Sequence, residues 1–319
     1  MNSVSVHIVT FNSEDHIEQC INSVLNQTVQ PLQIVVVDND SKDKTIDIIS
    51  QFSNQVELIR NDINVGFAAG QNQSIKRSKC DFLLVLNPDV VLEPDYIARL
   101  VEFLSSHPDS GSTTGKLLLK SNPSLIDSAG LAMNKARRAF DRGSGEPQIN
   151  WNQSSEVFGV SGAAAVFSRK MIEDISIKGE FFDESFFAYK EDVDVAWRAR
   201  LLGWKAYYVS EAVAYHERGW KRGKRTKQPL DIRKYSYINR YRMLIKNEQL
   251  INFLLDFPFL ITSELLSLGY ILLKERALFG AWPGLFRDLP YLINKRKWIT
   301  EKRNQRRKTE SKQSLSDNP

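Results

Sequence analysis

Between Val4 and Leu104 the chain alternates short apolar runs with amphipathic stretches of helical period, and that alternation leaves few folds open. Val4 to Phe11 reads as a strand. Glu14 to Gln27 reads as a helix with Ile17, Ile21, Val24 and Leu25 on one face and Ser13 at its N-cap. Ile34 to Val37 is an unbroken β-branched run, of the kind buried on both faces of a parallel sheet. Ile46, Ile49 and Phe52 mark the next helix, Val56 to Ile59 a third strand, Phe67 to Ser78 a third helix and Phe82 to Leu86 a fourth strand. Pro94 then introduces a helix bearing Ile97, Leu100, Val101 and Leu104. Alternation at this pitch builds right-handed βαβ units, so the predicted class is α/β, an open, mostly parallel sheet with flanking helices.

In such sheets ligands bind beyond the carboxyl ends of the strands. Three of those positions are polar: Thr10-Phe11-Asn12, Asp38-Asn39-Asp40-Ser41 and Asn87-Pro88-Asp89. Each alone is an ordinary turn composition; their convergence on one rim marks a site. Ser110 to Asn152 mixes Gly, Ser, Asn and basic residues with short apolar runs and is expected as an active-site loop. Val157 to Ser168 reads as a strand in which Gly162 lets a ligand or another backbone approach. After Phe181-Phe182-Asp183-Glu184, the run from Lys190 to Arg198 is a helix closed by Gly203 at C′, and Lys205 to Val209 is a strand followed by Tyr215-His216-Glu217.

With 42% hydrophobic and 25% charged residues over 319 positions, the chain supports one large domain or a domain plus an appendage, and wholesale disorder or a collagen-like repeat is excluded. Its only cysteines, Cys20 and Cys80, form no CxxC pair or zinc-type cluster, which points to a reducing compartment. The N-terminus lacks a basic segment before an apolar one, so a cytosolic location is expected. Net charge is +5, yet nine Lys/Arg lie between Lys295 and Lys312 against Glu301 and Glu310, so the excess belongs to the tail. Such a block is either a solvated, disordered end or a contact for an anionic partner.

Neither GxxxxGK[ST] nor GxGxxG occurs, and Asp38 to Asp43 has Lys42 and Asp43 where a calcium loop needs a ligand and a glycine. What remains is one carboxylate after the second strand, another after the fourth, an acidic pair opening a late helix and a His beyond the last strand. Mg2+ or Mn2+ takes one or two carboxylates plus substrate phosphates, a role that suits Asp89 and His216.

These ordered motifs resemble the inverting nucleotide-sugar glycosyltransferases of family 2, which have the GT-A fold. The resemblance runs from Val4 to His216 through Val9-Thr10-Phe11-Asn12, Val37-Asp38-Asn39-Asp40-Ser41, Asn64-Val65-Gly66-Phe67, Leu86-Asn87-Pro88-Asp89 and Glu191-Asp192-Val193-Asp194 with Trp197-Arg198. Its wording is similar to the rhamnosyltransferase-type branch that builds bacterial surface polysaccharides. The resemblance implies donor contacts from Thr10, Phe11, Asn12, Asp38, Asn64, Gly66, Asn72 and Asn87. It also implies a metal on Asp89 and His216, Asp192 as the catalytic base, and acceptor contacts from Gly162, Glu191 and Trp197, with Asp194 as a further support. Asn87 departs from the family's Asp-x-Asp pattern and lowers the negative charge there. The implied partners are a dTDP- or UDP-linked sugar donor, L-rhamnose being the first choice, and a saccharide or lipid-linked acceptor. A sugar nucleotidyltransferase and a degenerate nucleotide-sugar-binding scaffold remain open beside it.

The expected organisation is a catalytic domain over 1–232, a helical appendage over 233–294 and a disordered basic tail over 295–319. From Leu250 to Leu273 apolar residues dominate, but Asp256, Pro258 and Glu264 interrupt them, and no membrane-spanning helix is expected. The segment packs on the catalytic domain or a subunit partner, as in a homo-oligomer, or it lies on anionic lipid at the inner face of the cell membrane with Trp282, Trp298 and the basic tail. No recognition fold for nucleic acid accompanies the tail.

Overall fold

A computed structural model describes residues 2–218 and 228–316; residues 317–319 of the expected tail, and 219–227 within the expected catalytic domain, lie outside it. The first half follows the alternation: β1 (Val4–Thr10), α1 (Ile17–Leu25), β2 (Gln33–Asp38), α2 (Thr45–Ser50), β3 (Glu57–Arg60), α3 (Phe67–Ile75), β4 (Phe82–Leu86), β5 (Val90–Leu92) and α4 (Tyr96–Ser106). Next come β6 (Ser110–Leu119), β7 (Asn122–Ser128), β8 (Leu131–Met133), β9 (Ala139–Asp141), β10 (Ser155–Val157), β11 (Ala164–Ser168), α5 (Arg169–Ile175), α6 (Glu191–Leu201) and β12 (Lys205–His216). The C-terminal part is helical: α7 (Leu230–Asn247), α8 (Leu250–Leu255), α9 (Phe257–Lys274) and α10 (Trp282–Ser316).

One large sheet runs in the order β10-β12-β6-β11-β4-β1-β2-β3, with β5 on β12 and β7 on β6. The β3-β2-β1-β4 half is wholly parallel, which brings the carboxyl ends of β1, β2 and β4 to one rim. β1 is buried at every position, as a strand covered by helices on both faces must be. One core layer holds Ile17, Ile21 and Val24 of α1 with Ile97, Leu100 and Leu104 of α4; the other holds Phe167, Phe181, Phe182 and Val195.

Four expectations are corrected. Ser110–Asn152 is mostly strand, not loop: β6 lies inside the sheet, and Gly115 lets β12 approach so closely that a Cβ there would stand 2.2 Å from the Ala212 carbonyl. The strand expected over Val157–Ser168 breaks into β10 and β11, and the turn between them carries Gly162. The basic stretch from Lys295 is not disordered but continues α10, anchored by Lys295 to Glu180 (2.7 Å) and Asp183 (3.0 Å), by Lys302 and Arg306 to Asp174, and by buried Ile299. Finally, α9 is long and apolar enough, by length and composition, to cross a membrane: 18 residues, mean hydropathy 1.4, with 11% of it buried. Pro258 sits in its first turn, where a missing N–H costs nothing, so proline does not interrupt it.

Candidate active site

At the ends of β1 and β2 the backbone is locked by local polar bonds. Asn39 N–H donates to the Thr10 carbonyl (2.9 Å), Ser41 N–H to Asp38 Oδ2 (3.0 Å), and Asn12, at φ 50°, accepts from Lys42 N–H (2.8 Å). Thr10 Oγ1 and Asp38 Oδ1 are buried there without a hydrogen-bond partner, which is unusual for a native interior. Phe11 beside them is 47% exposed.

Strand pairing makes the second cluster. β5 pairs antiparallel with β12 so that His216 stands opposite Val90, and Glu217 N–H donates to the Asp89 carbonyl (3.0 Å). This register brings His216 Nε2 to 3.4 Å from Asp89 Oδ1, while Nδ1 binds Asp127 (2.7 Å). Burial alone would lower the imidazole pKa, but the two carboxylates raise it to about 9. The pair therefore favours positive charge, and Asp89 Oδ1 has no hydrogen bond. A carboxylate oxygen and an imidazole oriented by a second carboxylate would be a fitting donor set for Mg2+ or Mn2+ once the Nε2 proton is released to make way for the ion. No group of three His, Cys, Asp or Glu ligands occurs among the described residues, so substrate phosphates would complete the coordination.

The third cluster is the start of α6. Phe187, Tyr189 and Lys190 all have positive φ (58°, 70° and 73°), a costly conformation for residues with side chains, and it delivers Glu191 and Asp192 to the first helical turn. Asp192 accepts from Gly162 N–H (3.2 Å) and Val193 N–H (2.7 Å). Burial raises its pKa, with Asp141 adding to the effect against these two hydrogen bonds. Burial and the Asp192 charge push Glu191 to about 8. Glu191 is thereby a neutral acid at neutral pH.

A stability prediction follows from Glu191. From about 4.5, the ordinary value, up to about 8, the folded protein keeps a proton that the unfolded chain has released, so stability falls as pH rises through this window. Glu191→Gln is expected to flatten that slope in thermal melts taken from pH 5 to pH 8.5; an unchanged slope contradicts the raised pKa.

The clusters share one rim. Asn87 N–H donates to the Ala163 carbonyl (2.8 Å), and the neighbouring Gly162 holds Asp192. Tyr189, whose pKa is raised by burial, also feels both Glu191 and Asp89. Arg218 joins Asp127 (2.9 Å) to Asp141 and lies within the field of Asp192.

Other expected site residues sit in the scaffold. Asn64 caps a turn by accepting from Gly66 N–H (2.9 Å). Gly66 has φ 86° and faces Phe187 so closely that a Cβ would stand 2.6 Å from its carbonyl oxygen. Asn72 is 2% exposed and ties α3 to Phe182 N–H, the Phe182 carbonyl and Glu184; those bonds use its amide, so it fixes the segment and is corrected from a donor contact. Trp197 is buried in a cluster with Phe186, Val193 and Met243, a core position in place of an acceptor contact. Asp194 is fully buried on Lys246 (2.9 Å) and Asn247 (2.7 Å). The Asn87 side chain makes no hydrogen bond among the described residues and stays available beside Asp89.

Sequence reasoning missed Asp127, Arg218, Asp141 and Asn239. Asn239 of α7 donates its amide to the carbonyls of Phe186 (2.8 Å), Ala188 (2.9 Å) and Tyr189 (2.8 Å), clamping the strained loop before the acidic pair. Asn239→Ala is expected to lower turnover by about tenfold, measured as kcat, because the loop that carries the acidic pair relaxes. In α7 Asn239 is one of several buried polar residues, with Arg240, Arg242, Lys246 and Asn247, and no spacing in that run singles it out.

Residues 5–176 match the family model described as Glycosyl transferase family 2. N-acetylglucosaminyl-diphospho-decaprenol L-rhamnosyltransferase of Mycobacterium tuberculosis is 26% identical over 239 residues, covering 68% of this chain and 76% of that protein. Poly-beta-1,6-N-acetyl-D-glucosamine synthase of Staphylococcus epidermidis is 20% identical over 216 residues, covering 66% of this chain; the chain spans about half (49%) of that relative's length. Among solved structures, GalNAc-T7 with UDP, GalNAc and Mn2+ superposes with a TM-score of 0.62 at 16% identity, over 77% of this chain and 49% of the other. The mannosyltransferase PcManGT from Pyrobaculum calidifontis, in complex with GDP-Man and Mn2+, gives 0.56 at 16% identity over 94% and 86%. At such identities the structural likeness is one of fold.

Proposed function

Since the chain belongs to glycosyl transferase family 2, we propose that it is an inverting hexosyltransferase that moves a sugar from a nucleoside-diphosphate donor to a saccharide or lipid-linked acceptor in cell-surface glycan synthesis. The observation that carries this reading is the union of Asp89 and Asp192 at one rim through the Asn87–Ala163 and Gly162–Asp192 hydrogen bonds. In it, Thr10, Phe11 and Asp38 receive the nucleoside, and Asp89 with His216 holds a divalent cation. That ion, when bound, acts as a Lewis acid toward the leaving diphosphate.

The remaining work belongs to side chains. Asp192, fixed by two backbone N–H groups, accepts the proton of the acceptor hydroxyl as that oxygen attacks the anomeric carbon from the face opposite the diphosphate. Glu191, protonated at neutral pH, contributes a donor to the acceptor without adding charge beside the base. The 26% identical mycobacterial relative, an L-rhamnosyltransferase, supports L-rhamnose as the sugar. The exposed apolar helix α9 supports attachment to a membrane.

The test is a panel of dTDP-, UDP- and GDP-sugars with and without Mn2+, read by thermal shift and by the product released. A metal-dependent shift with dTDP-rhamnose and release of the nucleoside diphosphate is the expected result. Release of pyrophosphate would indicate a nucleotidyltransferase, and binding without turnover on any acceptor would indicate a scaffold.

A further inference from the structure

Away from the donor rim, a cleft of about 360 Å3 opens where the C-terminal end of α6 meets α8 and α10. It lies at the far end of the helix that begins with Glu191 and Asp192, about 16 Å along the axis, so a small group held there does not reach the base. Four arginines line it, Arg200, Arg303, Arg306 and Arg307, and no carboxylate does. Their charges are unequally matched. Arg200 pairs with Glu156 (3.3 Å), whereas Arg306 shares the single carboxylate of Asp174 with Lys302. Arg303 donates to the neutral side chain of Gln249, and the charge that acts on it is the like charge of Arg307. The positive excess therefore rests on Arg303 and on the Lys302 and Arg306 cations that have one carboxylate between them. Arg306 also donates to the Leu202 carbonyl, which fixes its guanidinium against the end of α6. Guanidinium forks held in this way suit phosphate oxygens.

The helix α8 says what carries the phosphate. Leu250, Ile251, Phe253, Leu254 and Leu255 make up all of it but Asn252, and none is buried; they are 69%, 67%, 38%, 62% and 74% exposed. Asn252 lines the cleft, so the arginines and five exposed apolar side chains lie within the reach of one helix about 9 Å long. An apolar face bordered by cations binds at the boundary between acyl chains and anionic headgroups. A free phosphate would engage the arginines and leave α8 bare. A second copy of this chain would cover α8 but leave the cations unmatched, since the cleft has no carboxylate to offer in return. We propose that the cleft of Arg303, Arg306 and Arg307 holds the phosphate of an anionic phospholipid headgroup, with α8 sunk among the neighbouring acyl chains. This rests on the reading of α9 as a membrane attachment and adds charge selectivity to it, because an apolar helix alone is indifferent to headgroup charge.

Flotation of the full chain at physiological salt tests it, with vesicles of phosphatidylcholine alone or in equal parts with phosphatidylglycerol. Phosphatidylglycerol is expected to tighten binding by about tenfold or more, and R303Q/R307Q to abolish that gain, at about fivefold for each arginine. K297Q/K308Q removes as many charges from α10 outside the cleft and is expected to cost less than about twofold. A loss as large as that of the cleft variant means diffuse adsorption and overturns the site. L254S/L255S is expected to weaken binding to both kinds of vesicle, with far-UV circular dichroism confirming that all three variants fold. If it instead dissolves a dimer seen by light scattering and leaves vesicle binding unaltered, α8 faces a second copy and the proposal fails. Calorimetry with inorganic phosphate separates the other source: phosphate bound through Arg303 and Arg307, with no preference for phosphatidylglycerol, overturns the lipid. Equal binding to both vesicles, unaltered by R303Q/R307Q, overturns the cleft and leaves attachment through α9 standing; binding to neither overturns both.

Discussion

Asp192→Asn is expected to cut transfer by about 10²–10⁴-fold while donor affinity changes by less than about twofold. The amide keeps the size of the side chain but puts an NH2 group in place of one of the two carboxylate oxygens that accept from Gly162 and Val193 N–H, so it keeps at most one of those bonds and cannot take a proton from the acceptor hydroxyl. Among the described residues Asp192 bonds to Gly162 and Val193 and not to Thr10, Asp38 or Asp89, so the donor's contacts are left in place. The wild-type pH profile carries the matching signature. Because burial raises the Asp192 pKa, the acid limb of kcat/KM lies above the ordinary carboxylate range, and activity is lost as pH falls through it. Initial rates with radiolabelled donor, alongside donor binding by calorimetry, check both points.

The second large effect is structural. Lys246 of α7 is fully buried, paired with Asp183 and with Asp194 (2.9 Å), and its ammonium lies 4.8 Å from the Phe186 ring. Against burial, which raises it, Lys246 and Lys295 hold the Asp183 carboxyl far below its usual range. Lys246→Met leaves buried carboxylates short of counter-charge, and such a loss typically costs about 3–5 kcal/mol. Chemical denaturation should read that difference, and Lys246→Met with Asp194→Asn should recover part of it. Because α7 also carries Asn239, activity is expected to fall with stability. The C-terminal helices thus brace the acidic loop, and a truncation at residue 232 would remove the brace.

Much of the fold is legible because local pattern and final burial agree. Ile34 to Val37 could hardly be anything but a covered strand, and parallel pairing then sends Thr10, Asp38 and Asn87 to one end. β6 was illegible because its sequence, rich in Ser, Thr and Gly, is shaped by what approaches it: Gly111 meets Met171, and Gly115 meets Ala212 and Tyr96. The tail misled for a related reason. A run of Lys and Arg reads as repulsive until Glu180, Asp183 and Asp174, distant in sequence, supply the opposite charges. Within the site, motif residues at strand ends were readable, whereas Asp127, Arg218 and Asn239 act through contacts that no short spacing encodes. Asn72 shows the converse, a motif position whose polar side chain is consumed in holding the scaffold.

The account stands on a donor lying between Asp89 and Asp192. Crystals soaked with Mn2+ and a non-hydrolysable dTDP-sugar, read by anomalous scattering, test it most directly. The predicted result is one manganese peak about 2.0–2.3 Å from an Asp89 oxygen and His216 Nε2, touching the diphosphate, with the Asp192 carboxylate on the far side of the sugar ring. A metal held elsewhere, or a sugar whose anomeric carbon faces away from Asp192, would contradict the account.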